Sequence, residues 1–272
     1  MSALAHRRYN PASMMITSPQ NPRIKLARAL LTQRKARYRE QRCALEGARL
    51  IGDALDAGAV PDFALFTAGF AGSDLGPGLL EALRAAGADC LEVDPALMDA
   101  LPGVETPPGI LAVCPLPALD PPAHPTLALV VDRLADPGNL GAILRTASAA
   151  GVALIALAPG TVDPYNPKTL RAGMGAHFRA PVAFMKWEAL PPLPLVLAEA
   201  DAATDYTAFD WTQPAALVIG GEAHGFSPEA RQRAATRVRI PMGRATESLN
   251  AAAAAAVILF EARRQREAAE HA

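Results

Sequence analysis

The hydrophobic pattern of this chain is a series of short strand-like runs separated by stretches with helical spacing. In the second half of the chain these runs lie at residues 127–131, 154–158, 195–198, 217–220 and 238–240. Fully apolar runs such as LALVV at 127–131 are typical of strands buried on both faces, as in parallel sheets. The alternation of strands and helices therefore predicts an α/β domain with a parallel sheet.

The first half of the chain predicts a smaller α/β unit, with helices at 23–38, 48–57 and 77–86 and strands at 63–66, 91–93 and 109–114. Between the two halves, PLPALDPPAHP at residues 115–125 holds five prolines. Proline removes backbone donors and stiffens the chain, so this segment predicts a semi-rigid linker. The expected domains are 16–114 and 126–267, joined by the linker 115–125.

One segment, DRLADPGNLGAILRTASAAG at residues 132–151, combines a strand end, a turn and a helix start. The turn is Asp136-Pro137-Gly138, and Asn139 is the predicted N-cap. The buried face of the helix is predicted to be Leu140, Ile143, Leu144 and Ala147. Arg145 points away from that face, beside a strand's carboxyl end, where open α/β sheets bind ligands. A solvated helix arginine is the alternative.

Two later segments add candidate chemistry. LVIGGEAHGFSPE, at 217–229, is a strand followed by a glycine-rich turn with a lone acid, Glu222, and by Ser227-Pro228 opening a helix. In the second segment, 238–265, a strand leads through Ile240-Pro241-Met242 and a polar loop into a long helix that begins near Ser248. Ser248 and Asn250 are the predicted N-cap residues of this helix. Each of these patterns alone is a weak signal, because glycine turns and helix caps also serve purely structural roles.

Together the three segments strongly resemble the three motifs of the SpoU-type RNA 2′-O-ribose methyltransferases of the SPOUT superfamily. The matching residues are Asp136 to Gly141 with Arg145, Thr146 and Ala147; then Gly220, Glu222 and Gly225; then Ile240, Pro241 and Met242 with Glu247, Ser248, Leu249 and Asn250. ITSPQNPRIK at 16–25 and ALEGARLIGDAL at 44–55 resemble the family's N-terminal RNA substrate-binding domain, which is similar to a small ribosomal protein.

The resemblance implies a SPOUT domain with a deep trefoil knot, S-adenosylmethionine as cofactor, and pairing of two copies through the methyltransferase domain as a homodimer. The cofactor residues that it implies are Ala198, Gly220, Gly221, Ile240, Met242, Ser248 and Leu249. The catalytic residues that it implies are Arg145, Asn139, Glu222, Ser248 and Asn250. Glu222 is expected to orient Asn139 or Arg145, and a helix-capping acid is its structural alternative.

The role of Arg145 has two interpretations. A ribose 2′-hydroxyl is a weak nucleophile that benefits from proton removal as the new bond forms. Arginine holds its own proton tightly, so it is a poor base. We therefore favour a clamp, in which the planar guanidinium grips a substrate phosphate and orients the hydroxyl. Literal base catalysis requires an unusually desolvated guanidinium.

The net charge is −1, but the positive charge is concentrated in residues 7–49, which hold eleven Lys/Arg and two acidic residues. Such a segment is typical of phosphate binding, and a solvated basic helix without a partner is the alternative. The candidate RNA-contacting residues are Arg23, Lys25, Arg34, Lys35, Arg37 and, from the resemblance, Arg171.

The expected function is 2′-O-methylation of a structured RNA, with rRNA favoured over tRNA because of the added N-terminal domain. A tRNA 2′-O-methyltransferase, a base methyltransferase of a related SPOUT branch and a non-catalytic RNA-binding or assembly protein are the alternatives. Three separated cysteines and five histidines without ligand spacing predict neither a disulfide framework nor a metal site. No apolar run is long enough to span a membrane, and a cytoplasmic location is expected, with organellar targeting left open.

Overall fold

The computed structural model describes residues 15–103, 109–221, 225–243 and 248–271. Its contacts divide the chain into two compact units. The first comprises Val60–Pro115 and the described residues up to Ile51, and the second comprises Gly52–Ala59 and the described residues from Leu116 onward.

The first unit is built on a mixed four-stranded sheet. Its strands are β1 (Arg42–Glu46), β2 (Phe63–Phe66), β3 (Asp89–Glu92) and β4 (Ile110–Pro115). They lie in the order β1-β4-β2-β3, with β4 antiparallel to both neighbours and β2 parallel to β3. The helices in this half of the chain are α1 (Pro22–Thr32), α2 (Arg34–Glu40), α3 (Ala48–Asp56), α4 (Ala68–Ala71), α5 (Gly76–Ala85) and α6 (Pro95–Asp99). The short helices α4 and α6 were not predicted.

The basic segment folds differently from the expected single helix at 23–38, because Gln33 is extended and separates α1 from α2. Ending α1 there leaves carbonyl groups of its last turn without intrahelical partners. Arg37, which is buried, donates from Nη1 to the carbonyl of Leu30 at 2.6 Å. A side chain from the second helix thus satisfies the end of the first.

Two of the cysteines that are distant in sequence face each other in the first unit. Cys43 in β1 pairs with Cys114 in β4, and both are buried thiols that form no disulfide. Burial raises the pKa of the Cys114 thiol, and the neighbouring Cys43 raises it further. Both thiols therefore act as small core side chains.

The second unit carries the parallel sheet that the sequence predicted. Its strands are β5 (Leu127–Asp132), β6 (Leu154–Leu157), β7 (Val182–Phe184), β8 (Leu195–Ala198), β9 (Thr204–Asp205), β10 (Ala215–Gly220) and β11 (Ala234–Arg239). The order is β7-β6-β5-β10-β8-β11-β9, and every neighbouring pair is parallel. The helices are α7 (Pro137–Ala149), α8 (Pro167–Gly173), α9 (Pro228–Arg233) and α10 (Ala251–Glu270), with 3-10 turns at Ala176–Phe178 and Trp187–Ala189.

Helix α7 buries the predicted face, since its four apolar residues at helical spacing have no solvent exposure: Leu140, Ile143, Leu144 and Ala147. It packs against α8 and α10. The contact with α8 requires glycine at position 141, because a Cβ there would lie 2.5 Å from both Ala172 Cβ and the Thr169 carbonyl oxygen. The position of α7 is therefore set by close packing on both sides.

The strand order brings the carboxyl ends of β5, β10, β8 and β11 next to one another at one edge of the sheet. The segments that follow β5, β10 and β11 contain the three motifs. In the described parts of the chain, no helix is both long and apolar enough to cross a bilayer.

Candidate functional site

The helix of the first motif begins about one turn earlier than the sequence predicted. Helix α7 starts at Pro137, and its N-cap is Asp136, whose Oδ1 accepts the Asn139 backbone N–H at 2.7 Å. The prediction of Asn139 as the cap is therefore wrong, and this residue lies in the first turn. The hydrogen bond from Asn139 holds the pKa of the Asp136 carboxyl below its usual value, and Lys168, 3.3 Å away, lowers it further.

Asn250 connects the third motif to the first. Its Oδ1 caps α10 by accepting the backbone N–H of Ala252 at 2.8 Å, and its Nδ2 donates to Asn139 Oδ1 at 3.1 Å. Of the two expected caps of this helix, Asn250 is confirmed. Ser248 lies two residues before the cap, so that prediction is wrong. Two expected catalytic residues, Asn139 and Asn250, thus meet directly although they are distant in sequence.

Arg145 lies on the exposed surface of α7, as the helical spacing predicted. Its neighbours Ile143 and Leu144 point into the core and fix the helix rotation. The residue is exposed to solvent. This placement suits a group that grips an anionic substrate arriving from outside.

An open cleft lies at the carboxyl ends of β8 and β11. It is lined by Ala198, Glu199, Ala200, Val238, Ile240, Met242, Ser248, Leu249, Ala254 and Ile258. Five of the seven residues expected at the cofactor are in this set: Ala198, Ile240, Met242, Ser248 and Leu249. The walls are largely apolar, with one carboxylate and one hydroxyl, which is the usual composition of a small-molecule site.

Gly220 and Gly221 are not among the residues that line this cleft, and their contact with the cofactor stays a prediction. Gly221 allows the turn after β10 to pack closely on the end of β5. Its N–H donates to the carbonyl of Asp132 at 2.9 Å, and a Cβ on Gly221 would lie 2.4 Å from the Arg133 carbonyl oxygen. Glycine is therefore required at position 221 by the approach of two backbone segments.

Asp132, which the sequence analysis did not single out, holds this turn. It is fully buried at the end of β5, and its Oδ2 accepts the Ser227 backbone N–H at 2.6 Å. Ser227 in turn caps α9, as predicted, through Oγ and the Ala230 N–H at 3.2 Å. The sequence signal that could have identified Asp132 is a carboxylate at the end of an otherwise apolar strand. Glu222, the expected catalytic acid, lies outside the described residues.

The expected RNA-contacting residues fall into different environments. Lys25, Arg34 and Lys35 are exposed, and Arg34 stacks over the Tyr38 ring at 5.6 Å. Arg171 is partly exposed in the last turn of α8.

Two of the six expected RNA-contacting residues form contacts within the first unit. Arg23 forms an ion pair with Asp89 at 2.8 Å and lies over the Phe63 ring. Arg37 is buried against Leu30, so its expected contact with phosphate is corrected: its guanidinium serves the helix end.

In the ranges that the structure describes, no group of three His, Cys, Asp or Glu side chains could hold a metal ion.

Two family models match separate parts of the chain. Residues 126–260 match the SpoU rRNA Methylase family, and residues 21–112 match the MRM3-like substrate binding domain. The chain is 34% identical over 274 residues to the 23S rRNA (uridine(2479)-2′-O)-methyltransferase of Streptomyces viridochromogenes, with 94% of each chain covered. It is 30% identical over 261 residues to the 23S rRNA (guanosine(2553)-2′-O)-methyltransferase RlmP of Bacillus subtilis, covering 91% of this chain and 98% of the relative.

The same similarity appears in three dimensions. The crystal structure of the SpoU methyltransferase AviRb from Streptomyces viridochromogenes in complex with the cofactor AdoMet superposes with a TM-score of 0.80 at 32% identity. The match covers 91% of this chain and 99% of that one, so the fold is the SPOUT fold. The residues of all three motifs, the fold and the full-length relatives agree, and the chain belongs to the SpoU rRNA methylase family.

Proposed function

We propose that this protein transfers a methyl group from S-adenosylmethionine to a ribose 2′-hydroxyl of ribosomal RNA. The observation that carries the proposal is the continuity of residues 248–250. Ser248 and Leu249 line the cleft, and the next residue, Asn250, is hydrogen-bonded to Asn139 in the first motif. Cofactor cleft and substrate side are thus connected through three consecutive residues. The rRNA 2′-O-methyltransferase names of the relatives from Streptomyces viridochromogenes and Bacillus subtilis support the choice of substrate.

The residues of the cleft fit S-adenosylmethionine. Ile240, Leu249 and Ala254 supply apolar surface suited to the adenine ring, and Glu199 and Ser248 supply polar atoms for the rest of the molecule. When bound, this cofactor supplies an electrophilic methyl group activated by its sulfonium charge. Much of what the protein contributes is alignment of the hydroxyl with that methyl group.

Arg145 and the two asparagines supply that alignment. The exposed guanidinium of Arg145 grips a backbone phosphate next to the target ribose in a two-bonded fork. The paired amides of Asn139 and Asn250 offer further donors and acceptors for the ribose. The proton of the 2′-hydroxyl leaves to the phosphate or to water, because arginine does not accept it. In this scheme Glu222 orients Asn139 or Arg145.

The C-terminal part of the chain is proposed to form the trefoil knot of the family. Support comes from the chain path: β11 lies beyond β8 in the sheet, yet α10, which follows β11, packs against α7 and contacts β10. The start of α10 therefore lies back towards β5, where Asn250 contacts Asn139. We also propose a homodimer through this unit, on the resemblance alone.

RNA recognition is proposed to involve the first unit, through the exposed cations Lys25, Arg34 and Lys35, together with Arg171 of the second unit. The match of residues 21–112 to a substrate binding domain supports this role. A cytoplasmic location is proposed, as the sequence predicted.

The test is transfer of labelled methyl groups from S-adenosylmethionine to purified rRNA and, in parallel, to purified tRNA. A 2′-O-methyl group removes the nucleophile needed for alkaline cleavage, so digestion of the product should leave a labelled dinucleotide that resists alkali. Label recovered as a mononucleotide would identify a base methyltransferase, and label in tRNA alone would reassign the substrate. Absence of label in both RNAs would favour a non-catalytic role. Mapping ribose methylation in a deletion strain would then locate the target nucleotide.

A further inference from the structure

Glu199 is the acidic residue among those that line the cleft, and it belongs to none of the three motifs. It directly follows β8, its side chain is only 12% exposed, and its backbone N–H donates to the Val238 carbonyl at 2.9 Å. Two arginines hold its carboxylate: Arg231 from α9 contacts Oε1, and Nη1 of Arg237 from β11 lies 3.1 Å from Oε2. The carboxylate is therefore oriented before any ligand arrives.

The carboxylate keeps unused acceptor capacity. Oε2 is buried, and within the described residues it accepts no hydrogen bond of good geometry, although Arg237 pairs with it electrostatically. An ionised carboxylate offers about four acceptor positions, and leaving a buried polar atom without a hydrogen bond destabilises a protein. A ligand donor in the cleft can share the carboxylate with Arg231 and Arg237, because each carboxylate oxygen accepts more than one hydrogen bond.

We propose that Glu199 accepts hydrogen bonds from the ribose hydroxyls of the adenosyl group of the cofactor, an inference that rests on the proposed use of S-adenosylmethionine. Arg231 and Arg237 already place two positive charges at this carboxylate, which disfavours the ammonium or sulfonium group of the cofactor as its partner. A neutral diol carries no such penalty. An acid just beyond a parallel strand is also a suitable acceptor for a nucleoside ribose in an α/β sheet. Arg231 and Arg237 are then positioning residues for Glu199.

The test is isothermal titration of S-adenosylhomocysteine and of its 2′-deoxy and 3′-deoxy analogues, without RNA. The wild-type protein should bind the parent compound about tenfold or more tightly than at least one deoxy analogue, because a hydrogen bond to a charged group is lost. Glu199→Gln should weaken the parent by a similar factor and bring the ratio between parent and analogue close to one. The matched control is Glu188→Gln, which removes an acid paired with Arg233 that does not line the cleft; its affinities should match the wild type.

Several results would overturn the proposal. If both deoxy analogues bind the wild-type protein as tightly as the parent compound, the proposal is wrong. This measurement needs no variant, so it decides the question even if Glu199→Gln does not fold. A folded Glu199→Gln protein that keeps the deoxy discrimination would show that the carboxylate only holds the arginines. Glu199→Gln losing affinity for the parent but not for an analogue without the amino group would assign Glu199 to the ammonium instead. Because RNA is absent from the titration, these outcomes are independent of whether rRNA is the substrate.

Discussion

The carboxyl edge of the parallel sheet and the basic segment of the first unit show how differently sequence relates to role. At the sheet edge, Ile240 and Leu249, which the family resemblance assigned to the cofactor, line the cleft, and Asn250 caps a helix as its residue type predicted. In the basic segment, arginines that look equivalent in sequence differ completely, since Arg34 is exposed and Arg37 is buried. Strand ends and helix caps are set by local backbone hydrogen bonding. The role of an arginine depends instead on which acceptor the tertiary structure places beside it.

The largest effect is expected at the sheet edge, where one exposed arginine is proposed to align the substrate. Arg145→Ala should reduce methyl transfer about 10²-fold or more, by analogy with removal of a transition-state donor. Cofactor affinity should stay within a few fold, because Arg145 does not line the cleft. Arg145→Lys should also fail, since an ammonium lacks the planar fork.

Single-turnover rates and S-adenosylhomocysteine titrations would be compared for these two variants. Arg264→Ala is the control, since it removes an α10 arginine whose partner is Glu261 and should leave the rate unchanged. An active lysine variant would contradict the clamp.

The stability of the second unit should depend on pH through His177. Its imidazole is buried, donates from Nε2 to the Pro164 carbonyl at 2.8 Å, and burial lowers its pKa to about 4 from 6.5. Below pH 6.5 the unfolded chain therefore binds a proton at His177, whereas the folded chain binds it only near pH 4. Stability from this group is complete above pH 6.5 and falls as the pH drops towards 4, by about 2 kcal/mol between pH 7 and pH 5.

Urea unfolding at both pH values, followed by tryptophan fluorescence, measures this loss, because Trp187 and Trp211 are the tryptophans of the chain and both lie in the second unit. His177→Gln should remove that part of the pH dependence. An identical pH dependence in the variant would exclude His177 as its source.

Substitutions of Asp132 test how much its hydrogen bond to the Ser227 backbone stabilises the sheet edge. Asp132→Ala leaves the buried Ser227 N–H without its acceptor, so the free energy of unfolding should fall by about 1–3 kcal/mol. Asp132→Asn retains a carbonyl acceptor and should lose less. Tryptophan-monitored unfolding of both variants gives the values, and equal losses would mean that the charge of Asp132 matters more than this hydrogen bond.

The basic segment should separate into structural and RNA-facing cations. Arg37→Gln should destabilise the first unit by about 1–3 kcal/mol, because the Leu30 carbonyl loses its donor. Lys35→Gln is the matched control, since Lys35 is exposed two residues away and should change stability by less than about 0.5 kcal/mol. Circular dichroism during urea unfolding distinguishes them; equal stabilities would contradict a structural role for Arg37.

The smallest effect is expected from the exposed pair. Replacing Arg34 and Lys35 with glutamine should reduce the slope of log affinity against log salt by about 0.7–0.9 for each lost phosphate contact. Binding to the target and to a decoy hairpin should weaken equally, because phosphate contacts do not read sequence. Affinities at two salt concentrations for both RNAs measure this. An unchanged slope would place RNA binding elsewhere on the protein.

The errors of the sequence analysis have physical causes. One helix was expected across Gln33, because local spacing does not reveal that Arg37 can satisfy the carbonyl of Leu30 from a second helix. Asn139 was expected as the N-cap of α7, because Asn and Asp are both favoured caps, whereas the structure uses Asp136. Both errors concern where a helix begins or ends.

The sequence by itself determined the elements whose causes are local: the apolar strands of the parallel sheet, the buried face of α7 and the caps Ser227 and Asn250. Through its resemblance it also indicated the family. Tertiary structure alone decided that Asn250 meets Asn139 across 111 residues and that Glu199 lies in the cleft between two arginines. The reason is that periodicity and capping act within a few residues, whereas the strand order β5-β10-β8-β11 is set by long-range packing and decides which loops become neighbours.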